Sequence, residues 1–114
     1  MWRAIGLALM LSASACYVAP KIEDVVLTSA ASPSGKIKAT VIERNVGLLN
    51  PPSILVMLHD AKQSVGKGTA VVAITDGSAP LVTFDGDTKL RVRIVGGTKH
   101  NQRSEAMGVT IIYE

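Results

Sequence analysis

Few side chains in this sequence are suited to covalent chemistry. Cys16 is the sole cysteine, and it comes directly after four small residues, Ser12-Ala13-Ser14-Ala15. Small residues ahead of a cleavage point let an extended chain enter the narrow cleft of a signal peptidase. Cleavage after Ala15 would make Cys16 the first residue of the mature chain. One cysteine allows no internal disulfide, which leaves an acylated thiol, an intermolecular bridge or an inert thiol. Its position at the close of an apolar run favours acylation.

The other reactive types are scattered. His59-Asp60 has the composition of a catalytic dyad, but neighbours on a strand point to opposite faces. His100 lies far away in sequence, and no serine sits in a G-x-S-x-G setting, so nucleophilic catalysis lacks its parts. Asp85-Gly86-Asp87, with Asp76 nearby, offers hard oxygens. Calcium needs about six to eight of them, usually with a bidentate Glu, so a turn is the better reading. Gly66-Lys67-Gly68-Thr69 has the ending of a phosphate loop, yet Lys62 stands where the first Gly is required, and no helix follows. No cofactor and no metal are expected.

Two surface features remain. Lys36/Lys38 and Arg91/Arg93 each project from one face of an alternating segment. If those strands share a sheet, four cations line one surface, each contributing about 1 kcal/mol near an anionic leaflet. The alternative is an ordinary solvated face, diluted by Glu43 and Asp87. Leu48-Leu49, between Gly47 and Asn50-Pro51-Pro52, offers either an exposed apolar knob for a partner or a plug for the end of a barrel.

The elements that must position these residues are short. Arg3, an apolar run from Ala4 to Leu11 and the small residues that follow have the order of a secretory signal. Ala4 to Ala19 falls short of the ~20 residues a spanning helix needs. Losing residues 1–15 would leave 99 of 114, enough for one domain burying roughly 60–70% of its unfolded surface. Removing Arg3 lowers the net charge from +3 to +2, well below the excess of a nucleic-acid binder. Residues 16–21 read as a tether and 22–114 as a single β domain. Period-two alternation or short apolar runs between breakers predict strands at Ile22–Ser29, Lys36–Arg44, Ile54–His59, Thr69–Thr75, Leu81–Phe84, Lys89–Val95 and Met107–Tyr113. Asn45–Ser53 and Gly96–Ser104 read as loops. In Lys89–Val95 the expectation is Leu90, Val92 and Ile94 inward, with Lys89, Arg91 and Arg93 outward. The expected fold is all-β, a small antiparallel meander-rich sandwich or open barrel following a cleaved signal helix.

Ser14-Ala15-Cys16 resembles the lipobox of bacterial lipoproteins, in which a small residue precedes the lipid-accepting cysteine. The Leu usual three residues ahead of that cysteine is Ala13 here, and Ala13-Ser14-Ala15 also satisfies the A-x-A pattern of ordinary signal peptidase. Ala31 to Ala39, running on to Glu43-Arg44, is similar to a hairpin of small uncharacterised bacterial lipoproteins. Their pattern is Ser-Pro-Asp-Gly-Lys, and Ser34 replaces the Asp. The resemblance implies a β module held at the membrane by lipid on Cys16, facing outside the cytoplasm, and the missing catalytic parts make a non-enzymatic role the expectation. Tyr17 in place of Asp implies the outer membrane where the host has two. The partner would be an envelope protein, a glycan or anionic lipid, and not nucleic acid. The alternative is a secreted soluble inhibitor or adhesion module released after Ala15.

Overall fold

Alternating side chains organise the part of the chain that the computed structural model describes, residues 22–47 and 51–114, into two facing sheets. In the first, β1 (Ile22–Ala31), β2 (Ile37–Val46), β3 (Ser53–Asp60) and β4 (Thr69–Thr75) form an antiparallel meander, and β7 (Thr98–His100) adds beyond β4. The second has the order β5 (Leu81–Phe84), β6 (Lys89–Arg93), β9 (Val109–Tyr113), β8 (Glu105–Ala106). A single 3-10 turn covers Val65–Lys67. The fold is an all-β sandwich and is not closed into a barrel.

The core forms where the inward positions of both sheets meet. Ala39, Val41, Ile54, Val56, Leu58, Val72 and Ile74 come from the first sheet; Leu90, Val92, Ala106, Val109 and Ile111 come from the second. Leu90 and Val92 point inward and Lys89, Arg91 and Arg93 outward, as the alternation requires, with Ile94 packed against the core's edge. The aromatics are few, so Val, Ile and Leu supply most of the burial.

One interruption of the period matters. Val56 pairs with Val72 but Met57 pairs with Ala70, which leaves Val71 as an extra residue on β4. This bulge lets consecutive valines enter the core together, Val71 at 0% and Val72 at 1% exposure. It also frees the Val71 carbonyl from the ladder, and that oxygen accepts the Arg103 amide (2.8 Å) and the Tyr113 hydroxyl (3.0 Å). The same hydroxyl reaches the Arg103 carbonyl at 2.7 Å. Tyr113 thereby ties β9 in one sheet to β4 in the other.

Two strands, β7 and β8, and the direction of β9 depart from what the alternation predicts. The polar stretch Gly96–Ser104 is not a loop throughout: it contains β7, whose three exposed residues carry no apolar pattern to announce it. The last strand begins at Val109 rather than Met107, because Met107 and Gly108 form the tight turn of the β8–β9 hairpin, with φ of 52° and 74°. Positive φ at both central positions usually draws Asn-Gly or Asp-Gly, so a Met there hides the turn. β9 pairs parallel to β6, and the fold is therefore not wholly antiparallel. A parallel neighbour needs a crossover, and the chain makes it by leaving β6, joining the first sheet as β7 and returning through β8.

The meander gives the sandwich two ends. The leading end, where β1 begins, holds the β2–β3, β4–β5 and β6–β7 connections; the far end holds the β1–β2, β3–β4, β5–β6 and β8–β9 turns. At the leading end Gly77 and Gly97 lie back to back. A Cβ on Gly97 would fall 2.8 Å from the Gly77 Cα and 2.8 Å from the Thr75 oxygen, whereas one on Gly96 meets nothing within 4 Å.

Two outcomes are expected in urea unfolding. Gly96→Ala and Gly97→Ala both strain a left-handed backbone, at about 1 kcal/mol, but only Gly97→Ala adds a backbone clash and should destabilise clearly more; equal losses would refute the close approach. Tyr113→Phe should lose about 0.5–1.5 kcal/mol at neutral pH. Burial raises the Tyr113 pKa above its ordinary value of 10.0. Its stabilisation is thus full below about pH 10 and lost as pH rises through the folded value. The variant should lack that alkaline decline.

Candidate functional site

The two basic pairs start from different sheets. Lys36 precedes β2 and Lys38 lies on it, in the first sheet; Arg91 and Arg93 belong to β6 in the second. Ala39 and Val41 fill the core beside Lys38, as Leu90 and Val92 do beside Arg91. Each pair therefore points away from the core on its own side of the sandwich. The shared sheet that a four-cation surface requires does not exist. Arg91 is also engaged, with Nε 2.6 Å from the Asp85 carboxylate.

The far end is a network of turns. In Ser32-Pro33-Ser34-Gly35-Lys36, the Ser32 amide donates to the Ile37 carbonyl (2.9 Å), and the Ser32 hydroxyl accepts the Ile37 amide (3.2 Å). Gly35 adopts φ of 75°, which explains a glycine there. The Ser34 amide donates to Asp87 Oδ1 at 2.9 Å, which joins the β1–β2 turn to the β5–β6 turn across the two sheets. That bond holds the Asp87 carboxyl below the ordinary carboxylate range, helped by the Ser34 side chain and the charge of Lys36. Next to this turn a cleft of about 380 Å³ is lined by Ser34, Gly35, Lys36, Asp60, Ala61 and Lys62. Asp60 caps the adjoining turn by accepting the Lys62 amide at 2.8 Å.

His59 is 5% exposed and fully engaged. Its Nδ1 lies 2.9 Å from the Asp60 carbonyl and its Nε2 2.7 Å from the Thr40 hydroxyl. A carbonyl only accepts, so Nδ1 carries a proton, and Nε2 shares a hydrogen bond with the Thr40 hydroxyl. The ring meets the Asp60 backbone and not its carboxylate, which places no acid-base dyad here. Nothing in the sequence singles out Thr40, since the β2–β3 register that brings these side chains together cannot be read from either strand alone.

At the leading end a smaller cleft of about 160 Å³ is lined by Glu43, Pro51, Pro52, Ile54, Ile74, Asp76 and Gly77. Between β1 and β2, Arg44 grips Asp24 with two bonds of 2.9 and 3.0 Å, which lower the Asp24 pKa. Asp85 and Asp87, read in sequence as a turn, are spent on Arg91 and Ser34. Among the described residues no group of three or more His, Cys, Asp or Glu is placed to hold a metal ion. Residues 1–21, with Cys16, and the Leu48-Leu49 knob lie outside the described residues; the flanks of the knob, Gly47 and Pro51, belong to the leading end.

A depressed carboxyl pKa stabilises the fold above the unfolded value, near pH 4, and that contribution disappears as pH falls through the folded value. Asp87→Asn should therefore flatten the acid limb of Tm against pH while keeping an oxygen for the Ser34 amide. An unchanged acid limb would show that Asp87 does not hold the turn in solution.

Comparison with protein-family models, with curated proteins and with solved structures returns no match to this chain.

Proposed function

We propose that this chain is a cell-envelope lipoprotein, a non-enzymatic β module anchored through acyl chains on Cys16. One observation carries the reading: a basic start, an apolar run from Ala4 to Leu11, the small residues Ser12 to Ala15, then the only cysteine. Each buried methylene contributes about 0.8 kcal/mol, so two chains on one sulfur hold a domain that a single chain would release. The module faces outside the cytoplasm, on the outer membrane where the host has two, and binds an envelope protein, a glycan or a lipid. A non-enzymatic role is supported by how the reactive side chains are used: His59 in buried hydrogen bonds, Asp60 in a turn cap, Asp85 and Asp87 in links between side chains and turns.

A secreted soluble inhibitor or adhesion module is the second reading, favoured by Ala13-Ser14-Ala15 and the missing Leu. Metabolic labelling with a palmitate analogue separates the two. Wild-type chain should be labelled and partition with membranes, and Cys16→Ala should lose the label. Equal labelling of both would refute the anchor, and a mature N-terminus of unmodified Cys16 by mass spectrometry would establish the secreted form.

A further inference from the structure

Exposed aliphatic side chains gather at one end of this sandwich. Ile22, Val25, Val26 and Leu27 on β1 are between 42% and 64% exposed; Leu81 at the start of β5 and Val95 after β6 are 63% and 58% exposed. Five of the six belong to the leading end or to the halves of strands nearest it, and Leu27 lies just past the middle of β1. The far end carries one exposed large apolar side chain, Met107 at 46%, among the exposed lysines Lys36, Lys62 and Lys67. Among the described residues no strand pairs with the outer edge of β1, and its residues from Ile22 to Ser29 are all exposed.

We propose that this leading end rests on the bilayer, with Ile22, Val26 and their aliphatic neighbours reaching into its interfacial layer. The inference rests on the Cys16 anchor. Residues 16–21 extend at most about 20 Å, so an anchored Cys16 keeps Ile22 within that distance of the lipid. That short connection is itself uncharged from Tyr17 to Pro20. Lys36, by contrast, stands beyond a ten-residue β1, about 33 Å further along. The occupant is a lipid surface met through apolar contact. Glu23, Asp24, Glu43 and Asp76 share this end with Arg44, Arg93 and Lys99, so its charges are mixed and headgroup charge is not what draws it to the lipid. The open backbone edge of β1 also limits depth, since unpaired N–H and C=O groups do not enter hydrocarbon. Side chains dip in while the strand stays among headgroups.

Residue 2 holds the only tryptophan, so the mature chain has none. Val26→Trp and Lys62→Trp therefore each give a single reporter in the lipoprotein purified from membranes. After reconstitution into phosphatidylcholine vesicles brominated in the acyl chains, Val26→Trp emission should fall at least about twofold, and Lys62→Trp should be unaffected. Quenching of Val26→Trp no greater than that of Lys62→Trp overturns the proposal. A blue-shifted but unquenched Val26→Trp also overturns it, because a second protein surface would then be the cover. Mass spectrometry of the same preparation keeps the two claims apart. Acylated Cys16 without quenching removes only the resting surface, whereas unmodified Cys16 removes the anchor and this inference together.

Discussion

The carbonyl of Val71 is the point on which both sheets turn. A bulge places it outside the β3–β4 ladder, and the oxygen is then free to receive the Arg103 amide and the Tyr113 hydroxyl. Regular pairing would have engaged that oxygen within the sheet and turned Val71 or Val72 away from the core. The single extra residue thus thickens the hydrophobic centre and fastens the returning chain. Because Tyr113 comes from β9, this bond fixes how the second sheet sits on the first.

At the far end of the sandwich, the Asp87–Ser34 bond performs the matching task for the turns. It joins segments distant in sequence through one exposed carboxylate. The buried Thr40–His59 pair adds a third constraint: a polar side chain at each of two adjacent strands, each satisfied by the other. No buried side-chain nitrogen or oxygen among the described residues lacks a partner. The polar residues that looked like chemistry in sequence thus hold turns and strands in place.

Local pattern made much of this fold legible. Strand positions from Ile22 to Arg93 follow from alternation and from breakers such as Asn50-Pro51-Pro52 and Asp76-Gly77, and so does the inward face of β6. What stayed hidden is non-local. The β7 strand has no apolar period, the Met107-Gly108 turn lacks the usual residue types, and the parallel β6–β9 pairing depends on a crossover between sheets. The basic pairs show the same limit. Alternation correctly turned Arg91 and Arg93 outward, but which sheet each strand joins is decided by the whole set of pairings. Cys16 carries its argument in the bare order of residues before it, and so is the one candidate whose reading requires no tertiary placement.

The position of β9 has a kinetic consequence. It is last along the chain, yet it lies in the interior of its sheet, between β6 and β8. A chain delivered from its amino terminus can complete the β1–β4 meander early, through contacts between successive strands. The second half of the core must wait until Val109 and Ile111 arrive, and closing such distant pairings is slow. Until that moment Leu90 and Val92 lack their neighbours on β9, and the half-built sandwich is the species most exposed to proteases and to its own kind.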